Sequence, residues 1–219
     1  MGQDPKFSAG PTPLQVRRLG RVSFEEAHKL QAELVSLRAA GEISDQLLFC
    51  EHEPVVTVGR SPRSEQREQL EKMLDVPIFE VERGGEATWH GPGQLVAYPL
   101  RLLPHGERDL HAYLRDLEGV VIDTLADFGV VGRREEGLTG VWIGAQKVAS
   151  IGIAVRRWVT WHGLALNLSN STSGFSGFHP CGLDANVMTR LSDHVGKSPA
   201  MEELQASLEG HFRARFGYL

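Results

Sequence analysis

The segment spanning residues 141–168 restricts the possible folds most strongly. Within it Ile151, Ile153 and Val155 alternate with small or polar residues, and Leu164, Leu166 and Leu168 repeat the pattern. A period of two sends successive side chains to opposite faces, so these stretches read as neighbouring strands laid against a core. The flanks carry the other period. Leu110, Leu114, Leu117, Val121, Leu125 and Phe128 form a helical stripe, with Asp109 as N-cap and Gly129 as the stop. Ser23 and Glu26 have capping-box spacing at the head of a helix to Ala40, with Leu30, Leu34 and Leu37 on one face and Gly41 past its end. Ser198-Pro199 opens a last helix carrying Leu204, Leu208 and Phe212. Leu47–Cys50, Val55–Val58 and Ile78–Val81 read as further short strands, and Ser64–Leu74 at most as a short surface helix. Strands of this kind mixed with amphipathic helices imply an α/β fold with a mixed, largely antiparallel sheet flanked by helices.

Residues 1–13 lack any apolar pattern and read as a disordered tail, leaving 14–219 as one domain. The charge balance, 23 basic against 28 acidic side chains for a net of −5, argues against a general nucleic-acid binder, which must neutralise phosphates. No apolar run reaches the roughly 20 residues needed to span a bilayer, and the N-terminus has no signal-peptide core. Two cysteines in 219 residues exclude a disulfide scaffold and a four-cysteine zinc site, which points to the reducing cytoplasm.

Three stretches depart from this background. Arg83-Gly-Gly-Glu-Ala-Thr-Trp-His-Gly-Pro-Gly-Gln94 is too rich in glycine for a regular helix or a central strand. A lone Gly-Gly is more often a tight turn than a site, but here Arg83, Thr88, His90 and Gln94 are interleaved with glycines that let backbone N–H groups approach a ligand. No Gly-Lys-Ser/Thr follows, so it is not a phosphate-binding loop of that type. The second stretch is Gly140–Gly152, where Lys147 precedes an alternating apolar strand; a lysine there is usually a solvated gatekeeper. The third runs from Trp161-His162-Gly-Leu-Ala-Leu-Asn167 to His179-Pro-Cys181-Gly182. Cys50, inside Leu-Leu-Phe-Cys, reads as inert packing, whereas Cys181, between Pro180 and Gly182, is the better nucleophile candidate. A thiol with a pKa of about 8.5 needs a nearby cation or base to act at neutral pH, and His90, His162, His179 and Lys147 are all candidates.

Taken together, Arg83-Gly-Gly-x-x-Thr-x-His90-Gly-Pro-Gly-Gln94, Lys147 with Gly152, His162-Gly-x-x-Leu-Asn167 and Pro180-Cys181-Gly182 resemble the lipoyl(octanoyl) transferases. Trp89 stands where the family usually has tyrosine. The resemblance implies a biotin/lipoate protein ligase-like catalytic domain that moves an octanoyl group from octanoyl-acyl carrier protein to a lysine of lipoyl domains, in 2-oxo-acid dehydrogenase E2 subunits and glycine cleavage H protein. It implies Cys181 as the acyl-thioester nucleophile and Lys147 as its partner. Substrate binding would fall to Arg83, Gly84, Gly85, Glu86, Ala87, Thr88, Trp89 and His90, to Ser150, Ile151 and Gly152, and to Gly163, Leu164 and Ala165, with His162 and Asn167 in support. No cofactor is implied, neither ATP nor metal, because a thioester is already activated. Acidic protein partners with a net −5 enzyme call for a local basic patch, with Arg17, Arg18, Arg21, Arg133, Arg134, Arg156 and Arg157 as candidates. Competing readings are an ATP-dependent lipoate or biotin ligase of the same fold, a Cys-His hydrolase, and a non-catalytic acyl-carrier-binding module.

Overall fold

The alternating segments assemble into two sheets in the computed structural model, which describes residues 13–60, 70–72, 74–175 and 187–219. In chain order the elements are β1 (Leu14–Val22), α1 (Phe24–Ala40), β2 (Asp45–His52), β3 (Val55–Val58), β4 (Ile78–Glu80), β5 (Ala87–His90), β6 (Gln94–Leu100), α2 (Leu110–Asp127), β7 (Gly132–Arg133), β8 (Val141–Ile143), β9 (Gln146–Arg156), β10 (Val159–Asn167) and α3 (Met201–Phe216). The large sheet has the order β1-β2-β6-β10-β9-β8-β7, and the small one the order β4-β3-β5. Among the described strands, β1–β2 and β3–β4 pair in parallel and the remaining strand pairs are antiparallel. The turn Gly91-Pro-Gly-Gln94 carries the chain from the small sheet into the large one, with Gly93 at φ +83° and the Gln94 N–H on the Gly91 carbonyl.

Each face of the large sheet has its own cover. On one, Leu95, Ala97, Leu164 and Leu166 pack beneath Leu117, Val121 and Leu125 of α2 and Leu204, Leu208 and Phe212 of α3. On the other, Leu48, Cys50, Val96, Tyr98 and Ala165 meet Ala27, Leu34 and Val35 of α1. Helix α1 begins with the expected capping box: Ser23 Oγ accepts from the Glu26 N–H at 3.2 Å, and Glu26 Oε2 accepts from the Ser23 N–H at 3.3 Å. It ends at Gly41 with φ +79°. Past that end, Asp45 accepts from Arg38 Nε at 2.6 Å, from the Leu102 N–H at 2.9 Å and from the Tyr218 hydroxyl at 2.8 Å, pinning three distant segments at one buried carboxylate.

Several elements differ from the sequence expectation. Strand β1 was not foreseen because an edge strand carrying Arg17, Arg18 and Arg21 shows no clean alternation. Strand β6 is buried on both faces and so reads as an unbroken apolar run, with Pro99 near its end. The buried face of α2 is Tyr113, Leu117, Val120, Val121, Thr124 and Leu125, turned away from Leu110, which is 38% exposed. Helix α3 starts at Met201 with Ala200 as N-cap, because Glu203 Oε2 accepts the Ala200 N–H at 2.7 Å. The short helix expected over 64–74 falls largely outside the described residues; of those described, 70–72 are helical and Leu70 is buried. Among the described residues no helix is long and apolar enough to cross a membrane.

The arginines expected to form one basic patch are separated. Arg17, Arg18 and Arg21 lie on β1, at one edge of the large sheet, and Arg133 lies on β7 at the opposite edge. Arg18 pairs with Glu209 at 2.7 Å, Arg133 with Glu135 at 2.6 Å and Arg134 with the buried Glu118 at 3.0 Å. Arg156 and Arg157 sit at the β9–β10 hairpin, whose turn residues Arg157 and Trp158 have φ +51° and +64°, as a two-residue primed turn requires.

Candidate active site

A cleft of about 490 Å³ opens on the α1 face of the large sheet, between Phe24 of α1 and the small sheet. Its floor follows from sheet register. Gly163 stands opposite Gly152, and Ala165 lies between Val96 and Ser150 in adjoining strands, so the sheet surface is low where the cleft is deepest. A Cβ at Gly163 would lie 2.2 Å from the Ala97 carbonyl oxygen, and one at Gly152 would lie 3.0 Å from the Gly84 carbonyl oxygen. Phe24, Val96, Tyr98, Ile151 and Leu164 give the walls an apolar character.

The three segments singled out in the sequence meet here. Arg83, Gly84, Gly85, Thr88 and His90 line the cleft, as do Ser150, Ile151 and Gly152, and Gly163, Leu164 and Ala165, together with His162. The alternation of β5 divides the remainder of the glycine-rich motif. Thr88 and His90 face the cleft, whereas Ala87 and Trp89 turn into a second core with Val56, Phe175 and Met188. Trp89 meets Phe175 edge-on at 5.6 Å, and a Cβ at Gly174 would lie 2.2 Å from its ring. Glu86, too, is absent from the lining, with its Oε2 buried and unpartnered among the described residues. These three lie outside the cleft lining.

The polar members of the motifs form one buried, directional chain. Arg83 Nη2 donates to the Thr57 carbonyl at 2.8 Å and to Thr57 Oγ1 at 3.0 Å, and Thr57 Oγ1 lies 3.4 Å from His90 Nε2. His90 Nδ1 lies 2.7 Å from Gln94 Oε1. Gln94 Nε2 donates to Asn167 Oδ1 at 2.9 Å and to the Trp89 carbonyl at 3.2 Å. With both amide hydrogens engaged, Gln94 can only accept from His90, which fixes the proton on Nδ1 and leaves Nε2 to accept from Thr57. Asn167 Nδ2 then donates to the Thr189 carbonyl at 2.9 Å, and the Thr189 N–H donates to the Lys147 carbonyl at 2.9 Å. Burial, reinforced by the field of His52, pushes the His90 pKa down to about 3, so the ring is neutral at physiological pH.

Lys147 does not line the cleft. It is the second residue of β9, only 2% exposed, with Nζ 5.0 Å from the centroid of the Trp142 ring. Pairing steps from Trp142–Lys147 to Val141–Ala149, leaving Val148 as the extra residue of a bulge, a device that re-aims side chains beside active sites. Gly140 makes room for it: at φ +136°, a Cβ there would lie 2.7 Å from Lys147 Cε and 2.5 Å from the Ala149 carbonyl oxygen. The Gly140 N–H is held by Glu118 Oε1 at 3.0 Å. Cys181, with His179, lies outside the described residues. Phe175 and Met188, near either end of that stretch, are buried in one cluster, and Met188 bridges to Lys147. Cys50 is fully buried in β2, where desolvation and the neighbouring Glu51 push its thiol pKa far up, so it is no nucleophile.

At the cleft wall His162 is held at φ +55°, its N–H donating to Gln31 Oε1 at 2.9 Å. Its ring lies near His28 and Glu82, and burial followed by the fields of His28 and Arg83 lowers its pKa to about 4. The sequence reading missed His28, Glu82, Gln31 and Thr57. A signal existed for two of them: Phe24, His28 and Gln31 recur at helical spacing on α1, which puts polar side chains on the face that packs against the sheet.

Comparison with known proteins follows the same lines. The family described as the lipoyl protein ligase A/B catalytic domain matches residues 23–213. A Geobacter metallireducens protein named octanoyltransferase is 44% identical over 201 residues, covering 91% of this chain and 92% of that one. Among solved structures, a bipartite lipoate protein ligase from Thermoplasma acidophilum, described with its E2 lipoyl domain, superposes with a TM-score of 0.73 at 17% identity, covering 95% of this chain and 85% of that one. Biotin protein ligase from Aquifex aeolicus does so with a TM-score of 0.55 at 13% identity, over 94% of this chain and 70% of that one. Both likenesses concern the fold, which is that of the lipoate and biotin ligases.

Proposed function

The chain belongs to the lipoyl protein ligase A/B catalytic domain family, and from that premise we propose that it transfers octanoyl from octanoyl-acyl carrier protein to a lysine of lipoyl domains in lipoate biosynthesis. The observation that carries this reading is the convergence of 83–90, 150–152 and 163–165 on one largely apolar cleft. An eight-carbon chain buried there gains about 0.8 kcal/mol per CH2, several kcal/mol in all, before any polar contact. Thr88 Oγ1, buried and unpartnered among the described residues, is available to a substrate carbonyl in the same cleft.

The chemistry proceeds in two transfers. The Cys181 thiolate attacks the thioester carbonyl, the bond to the carrier sulfur breaks, and the carrier leaves as a thiol after taking a proton. The ε-amine of the acceptor lysine then attacks the acyl-enzyme, the bond to Cys181 breaks, an amide forms, and the amine's surplus proton is released. Lys147 serves this sequence in one protonation state at a time. As an ammonium ion it stabilises the thiolate, and as a neutral amine it accepts a proton. Its support is positional: a buried lysine, made possible by Gly140 and the bulge, bridges to Met188, seven residues beyond Cys181 in the chain. Backbone N–H groups near either residue would meet the oxyanion. A thioester carries its own activation, so neither ATP nor a metal enters these steps.

Intact-mass analysis after mixing the protein with octanoyl-acyl carrier protein, without nucleotide, tests the reading. The expected result is a gain of one octanoyl group in the wild type, none in Cys181→Ala, and discharge of the adduct by an added lipoyl domain. Lys147→Arg should turn over more slowly because its charge survives while proton exchange does not. A requirement for ATP would favour the ligase reading. Free octanoate without an acceptor would mark a hydrolase, and normal transfer by Cys181→Ala would refute the covalent mechanism.

A further inference from the structure

Beside the acyl cleft, but outside the chemistry just described, three side chains from distant parts of the sequence converge: His28 of α1, Glu82 ahead of the glycine-rich motif, and His162 of β10. Glu82 Oε2 lies 3.2 Å from His28 Nε2 and 3.5 Å from His162 Nε2. One donor atom from each of the three residues lies within 4.8 Å of the others. A tetrahedral ion with bonds of roughly 2.0–2.1 Å to imidazole nitrogen holds its donors about 3.3 Å apart, so two of the three edges already have the required length.

A second observation points to a ligand. The His162 side chain is 3% exposed, and its Nε2 is buried with no hydrogen-bond partner among the described residues. An orphaned buried nitrogen costs free energy and needs a counterpart. It faces the Glu82 carboxylate at 3.5 Å. The rings are held in place beforehand. His28 stacks on Phe24 at 5.6 Å and on Trp161 at 5.3 Å, while His162 packs on Trp161 at 4.6 Å. The Gln31 contact to the His162 N–H fixes the backbone beneath.

We propose that His28, Glu82 and His162 form a binding site for a single divalent transition metal of the zinc class, with the fourth position open toward the cleft wall. The donor set decides the class: two imidazoles and one carboxylate suit zinc, cobalt and nickel, whereas magnesium and calcium prefer an all-oxygen shell. The ion would sit on the wall that His162 shares with the acyl cleft, in a place no step of the transfer uses.

The test is direct titration of the chelator-treated full chain with Zn2+ by calorimetry and with Co2+ by visible absorption. Expected are one ion per chain and cobalt bands of tetrahedral type without a thiolate charge-transfer band, both unchanged in Cys181→Ala. His28→Ala should weaken Zn2+ binding by at least the roughly 10–100-fold that losing even an outer partner of a ligand costs. The Glu82 side chain is 40% exposed and Glu82→Gln keeps its volume, so that variant should melt as the wild type does in the absence of metal and still bind Zn2+ more weakly, which separates lost ligation from lost packing of the His28 ring. The absence of saturable binding overturns the proposal. So does unchanged affinity in both variants, or a thiolate band that disappears in Cys181→Ala, which would put the ion on the cysteine instead.

Discussion

Replacing Gln94 with leucine tests whether the buried polar chain is a structural unit or a set of incidental contacts. The substitution nearly conserves volume and removes only the amide. His90 Nδ1–H then loses its acceptor at 2.7 Å, and Asn167 Oδ1 loses the donor at 2.9 Å, though it keeps Asn170 Nδ2 at 3.1 Å. Leaving one buried donor unpaired costs about 1–3 kcal/mol, and losing a satisfied hydrogen bond costs about 1 kcal/mol more. The expected loss is therefore about 2–4 kcal/mol, a large part of the 5–15 kcal/mol typical of a folded domain. Urea denaturation reads it as a lower midpoint at unchanged slope. In the double variant His90→Leu/Gln94→Leu both partners are apolar, so it should lose less than the sum of the single changes by about 1–3 kcal/mol. A loss under about 0.5 kcal/mol for Gln94→Leu, or a cycle additive to within that amount, would refute the reasoning, because an isolated surface contact behaves that way.

Asp45→Ala should cost about 3–5 kcal/mol in the same assay, since it strands Arg38, whose side chain is 7% exposed, as an unpaired buried charge; a loss under about 1 kcal/mol would mean that water or another acceptor replaces the carboxylate. Stability should also depend on acid. His90 titrates at about 3 in the folded chain against about 6.5 unfolded, so the unfolded chain alone takes up that proton between these values. Stability is then full above pH 6.5 and falls by about 1.4 kcal/mol per pH unit as pH drops toward 3, and His52, also lowered by burial, steepens the fall. A flat pH–stability profile over that window, measured by denaturant midpoints, would contradict a neutral buried His90. Two glycine substitutions should move in opposite directions. Gly163→Ala drives a Cβ to 2.2 Å from the Ala97 carbonyl and 2.6 Å from Pro99 Cδ, costing about 1–3 kcal/mol and reducing acyl-adduct formation. Gly210→Ala, in α3 with nothing within 4 Å, should stabilise by about 0.5–1 kcal/mol.

What could be read from the sequence follows the range of each signal. The capping box of α1 and the stop at Gly41 are local, and both were legible. The two strands of the β9–β10 hairpin were legible because alternation records which residues face a core. Strand β1 was not, since at a sheet edge Arg17, Arg18 and Arg21 need no apolar period; the helical stripe of α2 gave the element and its core face through Leu117, Val121 and Leu125, with Leu110 left exposed. At the site, the motif marked 83–94 as special but could not divide it. The pleat of β5 sends Thr88 and His90 to the cleft and Ala87 and Trp89 to a core, a division that depends on which strand β5 pairs with. Lys147 looked like a solvated gatekeeper by residue type; its burial comes with Gly140, the bulge at Val148 and the bridge to Met188, which lie at unrelated distances along the chain.

The sequence by itself therefore determined the element types, the inertness expected of Cys50 and the family whose motifs recur between Arg83 and Cys181, because each rests on local pattern or on residues in fixed order. Only the tertiary structure decided that Gly152 faces Gly163 to hollow a cleft, that Gln94 and Asn167 couple His90 to Thr189 beside Lys147, and that His28, Glu82 and His162 meet. Those are consequences of register and sheet order, and a one-residue slip in a strand would exchange its two faces.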